Sequence, residues 1–440
     1  MSVRAHLLLV PFSLVLLVSE GFSKTWFVGG SGADYDQIQP AIDAAQDGDV
    51  ILVRPGTYEP FVLDKGVIVR SSTAPFEVAA TVQIVGIPAG LRAGIAGMDS
   101  TTALGISDCG GEVVLENITL HQSGFLATNR LLSVVSSANV SFTDLTATSD
   151  GSMLFGGEPS DPRDVIRIEN SRVRMADVTV RGCSGFVTTG LPGGPGIGLQ
   201  SSLLVLSSPL IRGGAGANGG CGYDPSQGHY WLDGGHGGDA LRASDSTVTI
   251  LGTESHELRG GDGGPADDCG AGRQGNGGAG GTGLRLDDTS SAEVSRVVLL
   301  GGPGGSGQAD GGDGPDFTGS VTRIDQFPVL DMTRDLHPGS PIVLTLDAVE
   351  QSNVVLLVSD RGDFANLKGF GGPPWSVLPG AFFVVLFVGS TDAAGDLSYA
   401  AGRLPNDPAV WGLPLDAQAL AFSISGMNHL SNALARVVGE

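Results

Sequence analysis

The stretches VVLENITLHQSG (residues 113–124), VSFTDLTATSDG (140–151), VRMADVTVRGCSG (173–185) and LVLSSPLIRGGAG (204–216) share one layout. Each has a short apolar-rich run of strand character, one small polar residue at its bend, and a second such run. TVTILGTESHELRGG (247–261) and AEVSRVVLLGG (292–302) are looser copies. Such self-similarity signals stacked coils, because one unit of this kind cannot bury its apolar face alone. Anchored on Leu115, Phe142, Met175, Leu206, Ile250 and Val294, the copies stand 27, 33, 31, 44 and 44 residues apart. A bare coil of a solenoid needs only about 20 residues, so the excess must leave it sideways. That excess is Gly-rich and follows the second run of each copy. It lengthens from GCSGFVTTGLPGGPGIG (182–198) to GGAGANGGCGYDPSQGHYWLDGGHGGDA (213–240), GGDGGPADDCGAGRQGNGGAGGTG (260–283) and GGPGGSGQADGGDGPDF (301–317). The spacing predicts one apolar column through the six anchors and a glycine wall along one side of the rod.

The rest of the composition agrees. With 70 Gly among 440 residues, 6% aromatics and 41% hydrophobic residues, the chain is too apolar for wholesale disorder, and it lacks the strict period of collagen. Its net charge of −23, from 47 acidic against 24 basic residues, repels phosphate backbones, so no nucleic acid is expected as partner. Residues 1–23, with Arg4, an apolar run over 7–18 and small residues at Gly21 and Ser23, have the layout of a cleavable secretory signal. No membrane span is expected after its removal. Four cysteines in a secreted chain permit two disulfides. Cys221 and Cys269 occupy matching points of consecutive lateral loops and are expected to pair; Cys109 and Cys183 do not match, and their pairing stays open.

Before the repeats stands WFVGGSGADYDQIQPAIDAAQDGDVILVRPGTYEPFVLDKGVIVRSS (26–72). Asp36 is positioned to cap a short helix with Ile38, Ile42 and Ala45 on one face, Gly48 to end it, and Pro55-Gly56 to stop the following strand. Over residues 35–58 this segment resembles the start of right-handed parallel β-helix proteins of the pectin-lyase-like superfamily, in which it caps the first coil. The resemblance implies fold and carries no catalytic residue. From about residue 323 to 440, short apolar runs such as PIVLTLDAV, NVVLLVS and FFVVLFVG alternate with turn clusters, the pattern of an antiparallel β-sandwich. The ending resembles a C-terminal module of secreted proteins from planctomycete-type bacteria. The expected architecture is therefore all-β: a signal (1–23), a right-handed parallel β-helix (24–322) with an N-terminal capping helix and Gly-rich lateral loops, then a β-sandwich (323–440).

Chemistry-bearing residues fall into three groups. Two positions after the first four anchors stand Asn117, Asp144, Asp177 and Ser208, either a carboxylate column for calcium or a ladder of turn residues; the turn reading is preferred. Six positions after them stand His121, Thr148, Arg181 and Arg212, with Arg259 at the matching strand end. These arginines either bind uronic-acid carboxylates or pair with nearby acids, and ion pairing is preferred. The third group, His229, Tyr230 and Trp231, interrupts a Gly-rich loop with rings suited to stacking on a sugar. GGHGGDALR (234–242) fits a calcium-binding nonapeptide, but its following copy puts Thr282 where Asp belongs, so no cofactor is expected. These residues support a non-catalytic extracellular or surface protein that binds a polysaccharide or another surface component through His229, Tyr230, Trp231, Arg181 and Arg212. The alternative is a lyase or hydrolase of acidic polysaccharide using Asp144, Asp177, Arg181 and Arg212, because the superfamily resemblance implies a carboxylate cluster beside a basic residue.

Overall fold

A computed structural model describes residues 24–122, 130–149, 164–185, 190–224, 228–266, 274–324, 327–332, 336, 339–348, 350–359, 362–363, 376–377, 383–404, 414–422 and 428–437. The signal segment and Cys269 lie outside these residues. Between residues 25 and 323 the chain coils as a parallel β-helix. One parallel sheet runs from Thr25–Val28 through Arg92–Ser100, Glu112–Gln122, Asn139–Ser149, Arg172–Arg181 and Leu203–Arg212 to Ser320–Arg323. A second, nine-stranded parallel sheet collects one short strand per coil, from Val62–Leu63 to Phe317–Thr318. Leu115, Phe142, Met175, Leu206, Ile250 and Val294 are consecutive cross-strand partners, all buried, and the same ladder extends back through Ile95, Val69 and Ile51. The predicted apolar column is the core of the rod.

Two corners turn each coil. At the first, Gly97, Asn117, Asp144, Asp177, Ser208 and Arg296 all have φ between +50° and +72°. Short Asn, Asp and Ser side chains tolerate this left-handed backbone, which bends one long strand across two faces of the prism. At the second, Asp108, Ser136, Asn170, Ser201 and Asp245 do the same. The residue after each of these builds a ladder: the Ser137, Ser171, Ser202 and Ser246 N–H groups donate to the Ser171, Ser202, Ser246 and Ser290 hydroxyls at 3.0–3.2 Å. Each hydroxyl from Ser137 to Ser246 donates in turn to the carbonyl two residues back. Cys109 heads this ladder, its Sγ on the Ser107 carbonyl and its N–H on Ser137 Oγ. It is a buried free thiol standing in for a serine. Cys183 is also buried and forms no disulfide among the described residues.

The described part of the glycine-rich excess follows a regular hydrogen-bond pattern. Gly213, Gly216 and Gly219 donate to the carbonyls of Arg259, Asp262 and Pro265, three residues at a time and in parallel, while Gly235 and Gly238 donate back to Ala217 and Gly214, antiparallel. Gly260 and Gly263 repeat the parallel pattern onto Leu300 and Pro303, as do Gly237 on Ala279 and Gly280 on Gly312. A three-residue period with no internal helix or sheet ladder is polyproline-II geometry. Each coil sends one such extended helix out (213–219, 260–266, 301–306) and brings another back (232–240, 274–283, 309–316), so the wall is two hydrogen-bonded layers. Every helix has neighbours on two sides, and only Gly fits there: a methyl at Gly261 would collide with the Gly214 carbonyl oxygen, and one at Gly237 with that of Gly261.

The N-terminus is closed by the helix Ile38–Ala44, whose Ile38, Ala41 and Ile42 are buried. Its N-cap is Gln37 in extended backbone with no side-chain hydrogen bond, so Asp36 does not cap it; the helix is held by its apolar face. At the other end, an antiparallel three-stranded sheet (Val329–Met332, Pro341–Asp347, Asp396–Arg403) packs on a four-stranded one (Asn353–Ser359, Phe383–Ser390, Pro414–Phe422, Asn428–Val437). Leu330, Leu344 and Leu346 of the first share one core with Val354, Leu356 and Ala417 of the second, which makes the module a β-sandwich. The sandwich lies along the rod rather than beyond it. Arg92 binds both Glu112 and, at 3.0 Å, Asp416 of the module, buried Arg174 faces the same Asp416, and Arg296 forks onto Asp347 at 2.8 and 2.9 Å. Among the described residues no helix is long and apolar enough to cross a membrane.

Candidate functional site

The second face of the prism carries the arginine column. His121, Thr148, Arg181, Arg212 and Arg259 are cross-strand partners in that order, so the sequence register is the structural one. His121 Nδ1 is 3.0 Å from Thr148 Oγ1. Arg212 holds Asp262 with both carboxylate oxygens at 2.8 and 3.0 Å, and Arg259 approaches the same carboxylate at 3.9 Å. Asp262 is the side-chain position of a Gly-Gly-Asp triplet in the next outgoing helix. It is what turns the column into a structural pair, and such a pair at a half-exposed site contributes little stability. Arg181 is exposed.

The carboxylates expected beside these arginines sit elsewhere. Asp144 and Asp177 are corner residues with φ of +59° and +54°, as the turn reading requires. Asp177 and Arg181 are four residues apart on one extended strand, roughly 13 Å by the rise of a β-strand. Asp177 instead faces His256, whose pKa is lowered by burial and partly restored by the Asp177 charge. His256 Nδ1 accepts the Thr253 N–H at 2.9 Å, which fixes the neutral tautomer with its proton on Nε2. Both residues border a cleft of about 400 Å³ between rod and sandwich. His256 lies in the loosest repeat copy, where no strand pattern singled it out.

The third group is carried on a small antiparallel ribbon, Cys221–Asp224 with Gly228–Trp231, which pairs Cys221 with Trp231, Gly222 with Tyr230 and Tyr223 with His229. It joins an outgoing glycine helix to its returning partner. Cys221 lies nine residue steps of extended backbone beyond Arg212, about 28 Å at the polyproline-II rise. The arginine column therefore stands at the base of the glycine wall and the aromatic ribbon at its tip; the two are not one site.

The nonapeptide GGHGGDALR has a different explanation from metal binding. Asp233 Oδ1, His236 Nδ1 and Asp239 Oδ1 accept the N–H groups of Asn276, Ala279 and Thr282, and Asp313 and Asp316 do the same for Gly304 and Gly301. In a two-layer wall, one N–H in three points outward with no backbone acceptor, and these side chains supply one. Asp239 also meets Arg285 at 3.2 Å. On the nine-stranded sheet, buried Asp164 bridges Arg167 and Arg242 across Gly198, which leaves it room. Much of the described basic charge is thus engaged in holding the wall and sheets together. No protein-family model matches the chain, and no curated protein is detectably similar to it in sequence.

Proposed function

We propose that this is a secreted or cell-surface binding protein of the pectin-lyase-like kind, in which a rigid rod and glycine wall present an aromatic ribbon to a glycan or neighbouring surface component. The observation that carries the reading is the ribbon itself: Tyr223, His229, Tyr230 and Trp231 gather on eight residues of paired strand at the end of a glycine wall otherwise poor in large side chains. An aromatic ring has few rotatable bonds and loses little entropy on stacking against a sugar. The signal-like layout of residues 1–23 fits export, and an oxidising compartment suits a Cys221–Cys269 link.

Calorimetric titration with a panel of neutral and acidic oligosaccharides tests this. A glycan that binds the parent should bind Trp231→Ala about tenfold more weakly, the loss of one stacked ring. Reductant should weaken binding to the parent as well, through the freed ribbon. Undiminished binding by Trp231→Ala places the site elsewhere, and release of unsaturated or reducing ends favours the polysaccharide lyase or hydrolase reading instead.

A further inference from the structure

The bonds that join one outgoing glycine helix to the next run in a single direction. Gly213, Gly216 and Gly219 donate to the carbonyls of Arg259, Asp262 and Pro265, and Gly260, Gly263 and Ala266 donate in turn to those of Leu300, Pro303 and Ser306. The last outgoing helix has donors at the matching places, Gly301, Gly304 and Gly307, and among the described residues no further outgoing helix follows it. Asp316, Asp313 and Asp310 of its own returning helix accept these N–H groups instead, each through Oδ1, at 3.0, 2.9 and 3.2 Å. Left open, such a row of outward donors is a template for another extended chain.

The three aspartates stand where the preceding coil has glycine. Gly277, Gly280 and Gly283 donate to the carbonyls of Ala309, Gly312 and Pro315, and each acceptor immediately precedes the counterpart of its donor, which makes those counterparts Asp310, Asp313 and Asp316. A methyl at Gly277 or Gly280 would collide with the Gly305 or Gly302 carbonyl of the neighbouring outgoing helix. In the last coil the same direction leads to where a further outgoing helix would lie, so a side chain fits there and its carboxylate oxygen takes the place of that helix's carbonyl. Nothing else covers this end: over residues 301–323 only Gly302 and Gly305 are buried, and the short strands Phe317–Thr318 and Ser320–Arg323 end the two sheets.

We propose that Asp310, Asp313 and Asp316 are an assembly stop, which keeps the donor edge of the wall from pairing with a glycine helix of a second copy of this chain. A second copy is the matching occupant because the wall itself shows what satisfies such an edge: an extended glycine-rich strand that offers one carbonyl every third residue. Each aspartate blocks it twice, its Cβ filling the space that the incoming backbone needs and its carboxylate holding the donor in a charge-assisted bond. Three like charges in a row add to the mutual repulsion of chains that each carry −23. The stop lies on the wall's last coil and is independent of what the aromatic ribbon binds.

The test restores the glycines of the preceding coil. The full chain carrying Asp310→Gly, Asp313→Gly and Asp316→Gly together should gain mass over the parent in light scattering, reversibly and in step with concentration. Diluted until it is a single chain, it should exchange the amide hydrogens of Gly301, Gly304 and Gly307 severalfold faster than the parent. The triple Asn variant keeps both the Cβ and an oxygen acceptor, and should match the parent in mass and in exchange. Asp313→Gly alone should speed exchange at Gly304, which reads the cap even where the triple Gly variant does not fold. A folded triple Gly variant with the parent's mass at every concentration overturns the proposal, as does unchanged exchange at Gly304 in Asp313→Gly. Equal association of the triple Asn variant overturns it too, by assigning the effect to charge alone.

Discussion

Met175 shows what a single residue does in this rod. It is fully buried, with Phe142 and Leu206 as its partners on the strands either side. Met175→Asp would bury an unpaired carboxylate between those neighbours, at several kcal/mol, and is expected to abolish the soluble fold; Met175→Leu, of similar volume, should cost less than ~1.5 kcal/mol in a denaturant melt. A soluble Asp variant with unchanged circular dichroism would contradict the column. At this scale the sequence was largely legible, because side-chain alternation and an equal offset from each anchor determine the register. The corner residues were legible for the same reason: Asn117, Asp144, Asp177 and Ser208 are short polar residues where the strand must bend. Illegible were the cross-coil partners, such as Asp262 for Arg212 or Asp164 for Arg242, because they lie 50 and 78 residues away.

Glycine composition pointed to loops at the scale of elements, and this is where reading by residue type fell short. The signal was a local Gly-Gly-x triplet, as in GGHGGD, GGDGGP, GNGGAGGT and GGPGGS, which places a side chain only at every third position. In the two-layer wall that position faces solvent while the other two meet backbone. Neighbouring glycines 311 and 312 separate the two environments. A methyl at Gly311 would run into the Gly278 carbonyl oxygen, whereas one at Gly312 meets nothing within 4 Å. Gly311→Ala is therefore expected to destabilise by ~1–3 kcal/mol, through forced backbone displacement, and Gly312→Ala to be neutral or slightly stabilising, through its less flexible unfolded chain. Paired thermal melts of the two variants check this; equal effects would mean that the glycines serve flexibility and not close approach.

For the whole molecule, the docking of the sandwich on the rod turns on one buried polar cluster. Arg92 holds two carboxylates, Glu112 of the rod and fully buried Asp416 of the sandwich, with Arg174 beside them. Burial under the module pushes the Glu112 carboxyl up to about 7, aided by the Asp416 charge and opposed by Arg92. An acid whose folded pKa lies above its unfolded value of 4.5 binds more protons when folded. Its favourable contribution is complete below that unfolded value, and it is lost as pH rises through about 7. Raising the pH from 5 to 8 should therefore loosen the docked module, by an amount on the order of 3 kcal/mol from this group alone. Glu112→Gln keeps a hydrogen-bonding amide beside Arg92 and cannot ionise, so its melting temperature relative to the parent should climb between pH 5 and 8. Asp416→Asn, which removes the charge shared by both arginines, should instead destabilise the junction across that range. Melts of the three proteins at pH 5, 6.5 and 8 resolve the sign, and a Glu112→Gln difference that stays flat with pH would show that Glu112 is ionised throughout and that Arg92 carries both carboxylates as full charges.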